Sequence, residues 1–139
     1  MIKRIEHIGF AIENAETAKE TFDKILNKSS YKEEEVASQM VNTIFYQLEN
    51  SKIELLAATD SDSTIAKYIN KYKQGMHHIA LLVDNLETEM ERLTELGFEF
   101  IYAEHQLGAD NKRINFIHPK KTHGVLIELC EEITNDNTD

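Results

Sequence analysis

His7-Ile-Gly-Phe-Ala-Ile-Glu-Asn-Ala-Glu-Thr17 and His78-Ile-Ala-Leu-Leu-Val-Asp-Asn-Leu-Glu-Thr88 align without a gap, and His, Ile, Asn, Glu and Thr recur at the same places. In both copies an apolar run with strand character ends at an asparagine able to cap a helix, and apolar residues then follow at helical spacing. These are Ala18, Phe22, Ile25 and Leu26 in the first copy and Leu86, Met90 and Leu93 in the second, where Gly97 is placed to stop the helix. A strand-to-helix start that occurs twice in one short chain points to a duplicated module.

Outward from these starts, strands are expected at about 41–48 and 53–58 in the first copy, and at about 98–103, 113–117 and 125–129 in the second. The closing strands match as well, Ile53-Glu54-Leu55 against Ile127-Glu128-Leu129. Each module therefore opens with His-Ile and closes with Ile-Glu-Leu. The expected architecture is α+β, with two βαβββ modules at about 1–60 and 76–130 making one domain over 1–130. Ile65, Ile69 and Tyr72, at i, i+4 and i+7, predict a short connecting helix before Gly75 with a structural role only. Residues 131–139, rich in Asn, Asp, Thr and Glu, are expected to form a disordered acidic tail.

Composition narrows the function classes. The chain of 139 residues is long enough for one core but not for two independent domains. Hydrophobic residues make up 41% and charged residues 29%, as in an ordinary globular protein, and nowhere is there the run of about 18 apolar residues that a membrane span needs. A net charge of −10 disfavours a nucleic-acid surface. A first strand close to Met1, no secretion-type leader and a lone Cys130 lead to the expectation of a reducing, cytoplasmic setting. Lys112, Arg113, Lys120 and Lys121 form the one basic stretch of the second half, either a solvated loop or a site for a small anion.

The informative anomaly is that His7, Glu54, His78 and Glu128 each lie in an otherwise apolar strand, where an unpaired polar group costs several kcal/mol. From His7 to Glu54 is 47 residues and from His78 to Glu128 is 50, so a pseudo-twofold relation would bring all four together. Two imidazoles and two carboxylates suit Zn²⁺, Co²⁺, Mn²⁺, Ni²⁺ or Fe²⁺ and leave positions for water or substrate. Taken singly, each has the plainer role of a solvated strand glutamate or a hydrogen-bonded histidine; the repetition argues for ligands. His77 is expected to face away from this set by strand alternation, and His118 and His123 fall outside the repeat.

With these residues in view, the chain resembles the vicinal-oxygen-chelate (glyoxalase/bleomycin resistance/dioxygenase) superfamily, and within it the methylmalonyl-CoA epimerases. The resemblance runs from Ile5 to Glu131 through Lys52-Ile-Glu-Leu-Leu56, Asp62-Ser-Thr-Ile-Ala-Lys67 and Gly75-Met-His-His-Ile-Ala80. Its most specific part is Asn115-Phe-Ile-His-Pro-Lys120 followed by His123-Gly-Val-Leu-Ile-Glu-Leu129. The resemblance implies a curved mixed sheet around a metal site, a homodimer, and metal ligation by His7, Glu54, His78 and Glu128. Co²⁺ is the implied cation, with Zn²⁺, Mn²⁺, Ni²⁺ and Mg²⁺ as alternatives. Many such epimerases carry Pro-Glu-Gln-Gly-Val before the third strand and some a catalytic Glu just after it; here the segment is Ala37-Ser-Gln-Met-Val41, with Thr43 at the place of that Glu.

The chemistry so implied is proton removal at C2 of a 2-substituted malonyl thioester and its return to the opposite face, with Glu128 and Glu54 as acid–base groups. Gln39 is a candidate to orient the substrate carboxylate, and Lys112, Arg113, Lys120 and Lys121 are candidates to meet the phosphates of an acyl-CoA. Three other readings use the same fold: a glyoxalase I-like isomerase of a glutathione hemithioacetal, a non-catalytic small-molecule-binding protein, and an iron-dependent ring-cleaving dioxygenase.

Overall fold

The computed structural model describes residues 1–134. In chain order it contains β1 (Ile2–Ile12), α1 (Ala15–Leu26), β2 (Lys32–Val36), β3 (Val41–Gln47), β4 (Lys52–Ala58), α2 (Thr64–Tyr72), β5 (Gly75–Val83), α3 (Leu86–Glu95), β6 (Gln106–Gly108), β7 (Lys112–Ile117) and β8 (Ile127–Glu132). The α+β class holds, and βαβββ occurs twice, as β1-α1-β2-β3-β4 and β5-α3-β6-β7-β8, with α2 between the two. The chain forms two compact units, His7–His77 and a second of Met1–Glu6 with the residues from His78 on. No helix among the described residues is long and apolar enough to cross a membrane.

In the unit His7–His77 the strand order is β2-β3-β4-β1. β1 runs parallel to β4, while β3 is antiparallel to both β4 and β2. A parallel pair needs a crossover, and α1 begins it where Asn14 Oδ1 accepts from Thr17 N at 3.0 Å. The chain leaves α1 through Asn27, whose φ of 53° is left-handed. Ala18, Phe22 and Leu26 of α1 pack on a core of Ile12, Ile44, Tyr46, Leu55 and Ala57. Burying such a side chain contributes about 1.5–3 kcal/mol. On the opposite face, Ile65, Tyr68 and Ile69 of α2 cover Ala11, Val41 and Leu56. Ile25 and Tyr72, expected to be apolar contacts, are exposed instead.

In the second unit β5 runs parallel to β8, and β7 is antiparallel to β8 and β6. Asn85 Oδ1 accepts from Thr88 N at 2.9 Å, and Gly97, at φ 95°, follows the end of α3 as its place in the sequence predicts. Leu86, Met90 and Leu93 of α3 pack on one face with Val83, Ile117 and Leu129. Ala80, Leu82, Ile114, Cys130 and Phe116 cluster on the other.

Four expectations need correction. β2 has no counterpart among the expected strands: Lys-Glu-Glu-Glu-Val has little strand propensity, and its pairing with β3 makes it a strand. Residues 98–103 make only an isolated bridge, Phe100 to Ile117, and the strand lies later, at β6. Phe98 and Phe100 serve the core there, and the Asn115 side chain occupies both backbone groups of Tyr102 that a ladder would use. The last strand begins at Ile127, because Val125 donates its N–H to Thr122 O in a turn. It continues through Glu132, so Glu131 and Glu132 belong to β8 and not to a tail, while 135–139 lie outside the described residues. Glu131 is buried because its carboxylate has partners there, Arg113 Nη1 and Leu86 N.

Candidate functional site

The parallel register of β1 on β4 places Gly9 beside Glu54, so His7, two residues earlier, shares the face that carries Glu54. His7 Nδ1 lies 3.0 Å from Glu54 Oε2, and each side chain is 6% exposed. Across β4, the antiparallel register sets Phe45 opposite Glu54.

The second module repeats this arrangement strand for strand. Ala80 of β5 stands beside Glu128 of β8, His78 lies two residues before Ala80, and Phe116 of β7 is opposite Glu128. His78 Nε2 is 3.4 Å from Glu128 Oε1, with side chains 5% and 8% exposed. Thus Gly9–Glu54–Phe45 and Ala80–Glu128–Phe116 are the same cross-strand row. The residue beside each glutamate on the parallel strand is small, and the one on the antiparallel strand is phenylalanine. The phenylalanines escape a reading of the sequence because their relation to the glutamates exists only once the strand register is known; the repeated Ile-Glu-Leu is the signal that could lead to them.

A buried imidazole against a buried carboxylate is costly unless the pair is held by further partners or a cation. The donor chemistry, imidazole nitrogen with carboxylate oxygen, fits the borderline divalent cations of the superfamily. Each pair by itself thus supplies one nitrogen and one oxygen donor in a largely apolar strand setting.

The His77 ring stands edge-on to Tyr68 of α2, with 4.8 Å between centroids. Burial pushes its imidazole down to about 4, so it is neutral at ordinary pH. Thr43 is buried on β3, on the face of Glu54, with Leu56 opposite on β4 and Glu34 opposite on β2. Gln39 ends the 3-10 turn Ala37–Gln39 and is half-buried.

The basic candidates separate into two groups. Lys112 is buried and donates from Nζ to Asp110 O at 3.1 Å, while Arg113 Nη1 meets Glu131 Oε2 at 2.7 Å. Lys120 and Lys121 line a pocket with Leu96, Gly97, Phe98 and His123. Lys120 Nζ lies 2.6 Å from Glu99 Oε2, and Lys121 Nζ donates to Gly97 O at 2.7 Å.

Two βαβββ modules, each with a buried His–Glu pair at the same ladder position, define a fold of the glyoxalase kind. The chain belongs to the Glyoxalase/Bleomycin resistance protein/Dioxygenase superfamily, whose family model matches residues 6–116. It is 35% identical over 130 residues to the uncharacterized protein YqjC of Bacillus subtilis, covering 94% of this chain and 93% of that one. It is 33% identical over 127 residues to the mitochondrial methylmalonyl-CoA epimerase of Bos taurus, covering 91% of this chain and 73% of the relative. Among solved structures, a methylmalonyl-CoA epimerase of Streptomyces coelicolor in complex with 2-nitronate-propionyl-CoA matches with a TM-score of 0.92 and 28% identity, over 96% of this chain and 97% of that one.

Proposed function

We propose that the protein is a metal-dependent methylmalonyl-CoA epimerase, interconverting the (R) and (S) epimers by proton transfer at C2. The observation that carries this reading is the duplicated buried pair, His7 with Glu54 and His78 with Glu128, at one ladder position in both modules. The epimerase relatives support the substrate class. His7, Glu54, His78 and Glu128 would together hold one divalent cation, with Co²⁺ the first choice. A cation so held would supply Lewis-acid stabilisation of the enolate charge that develops when the C2 proton leaves. Glu128 removes the C2 proton or returns it, and Glu54 is the acid–base group on the opposite side. A carboxylate that also ligates the cation is a weaker base than a free one, which the activated proton between two carbonyl groups tolerates.

Gln39 orients the substrate carboxylate, and the basic set Lys112, Arg113, Lys120 and Lys121 meets the phosphates of CoA. Lys120 and Lys121 carry most of that role, because both are exposed, whereas Lys112 is buried and Arg113 is only partly accessible. The working form is a single domain over 1–130, assembled as a homodimer in the cytoplasm. The test is to strip the protein with chelator, restore Co²⁺ or another divalent ion, and follow deuterium entry at C2 of methylmalonyl-CoA in D₂O beside a stereospecific coupled assay. Metal-dependent exchange coupled to epimer conversion is expected. Turnover only with methylglyoxal and glutathione would make the protein a glyoxalase-type isomerase, and tight ligand binding without turnover would make it a binding protein.

A further inference from the structure

The two cross-strand rows match in register but not in what surrounds their phenylalanines. Phe45, opposite Glu54, is fully buried, with the Tyr31 ring 5.8 Å away and Lys32 Nζ 5.2 Å from its ring centre. Phe116, opposite Glu128, keeps part of its surface accessible. Directly opposed strand residues have Cβ atoms about 5 Å apart, so the Phe116 ring stands at the flank of the Glu128 carboxylate. It also meets His78 edge-on, with centroids 5.7 Å apart and planes at 89°.

The ring is backed rather than loose. The Tyr102 ring lies against it, with 6.5 Å between centroids and planes at 60°, and Ile101 N donates to Phe116 O at 2.8 Å. Tyr102 is fixed by its own backbone: the fully buried Asn115 accepts from Tyr102 N at 3.2 Å and donates to Tyr102 O at 3.0 Å. Both polar groups of one peptide segment are thus tied to a side chain of the same strand that carries Phe116. An aromatic surface held this way, beside one His–Glu pair only, yields little to a larger ligand.

We infer that Phe116, backed by Tyr102, is the wall against which the C2 substituent of the substrate rests, and that it sets the size of substituent accepted. The inference rests on the epimerase reading, with Glu128 at the reacting carbon. Phe116 is then a specificity-determining residue, and Tyr102 and Asn115 are positioning residues that act through it. One methylene against a packed wall changes selectivity by about tenfold or more.

The experiment measures kcat/KM for metal-dependent C2 exchange with methylmalonyl-CoA and with 2-ethylmalonyl-CoA, on wild type, Phe116→Ala, Phe116→Leu and Tyr102→Ala. The readout is the ratio of ethyl to methyl substrate, which a loss of folded protein leaves unchanged because both substrates fall together. The ratio is expected to rise by about tenfold in Phe116→Ala and by less in Phe116→Leu and Tyr102→Ala. Wild-type exchange with ratios in all three variants within about twofold of wild type would overturn the wall. Should Phe116→Ala fail to fold, Phe116→Leu and Tyr102→Ala decide by the same criterion. Absence of exchange in the wild type with any divalent ion would instead overturn the epimerase reading, and this inference with it.

Discussion

Arg113 on β7 and Glu131 on β8 are directly opposed in the ladder, and their Nη1 and Oε2 atoms lie 2.7 Å apart. The other oxygen of Glu131 accepts from Leu86 N at 2.7 Å, so one buried carboxylate joins two strands to the first turn of α3. Removing one member of a buried pair strands the other, which costs about 3–5 kcal/mol. Glu131→Ala is therefore expected to lower unfolding free energy by about 3 kcal/mol in urea titration, and Arg113→Met introduced on that background to recover part of the loss.

The paired histidines and glutamates give a prediction with a readout independent of turnover. Wild type is expected to bind divalent metal and to melt at a higher temperature with added Co²⁺; His78→Ala and His7→Ala are each expected to reduce the bound metal, measured by elemental analysis after dialysis, and to abolish that rise. Full metal content in His78→Ala would remove that residue from the ligand set.

Glu128→Gln and Glu54→Gln address proton transfer. Each is expected to depress C2 deuterium exchange by about a hundredfold or more while substrate affinity, read by calorimetry, changes less. Wild-type exchange rates in both would show that the proton moves through other groups.

Tyr46, fully buried on β3, donates its hydroxyl to Asp23 Oδ1 at 2.7 Å. Burial, followed by the Asp23 hydrogen bond and charge, raises this phenol above its usual value of 10.0. The folded state thus keeps a proton that the unfolded chain releases at alkaline pH, so stability falls as pH rises above the unfolded value of about 10. Tyr46→Phe is expected to cost about 1–2 kcal/mol at neutral pH, by denaturant titration, and to flatten the alkaline decline in stability.

Asn14 and Asn85 cap α1 and α3 through the same contact, side-chain oxygen to the N–H three residues on. Replacing either with Ala is expected to lower stability by about 1 kcal/mol by the same titration.

Much of this is legible because the duplication announces itself locally. The strand-to-Asn-to-helix start needs only neighbouring residues, and the caps, Gly97 and the two modules follow from it. The polar residues in apolar strands stand out because burial forbids them without partners, and His7 with Glu54 and His78 with Glu128 are the pairs observed. What stays hidden depends on contacts between distant segments. The sequence of β2 carries no strand signal, and only pairing with β3 makes it one. Phe98 and Phe100 alternate like a strand yet lie outside one, since Asn115 takes the Tyr102 backbone. Glu131 looks like tail composition until Arg113 and Leu86 are placed beside it.

β2 has a further consequence for how molecules meet one another in solution. It is the last strand in its unit's order, and Lys32, Glu33, Glu34 and Glu35 follow one another along it. An outermost strand offers unpaired backbone groups onto which a second chain could zip. Charged side chains lie along both faces of this strand, Glu33 paired with Lys19 and Glu34 with Lys32, and a strand so charged is a poor template for edge-to-edge pairing. The segment with the least intrinsic preference for its conformation is thereby the one that guards the protein against colloidal association.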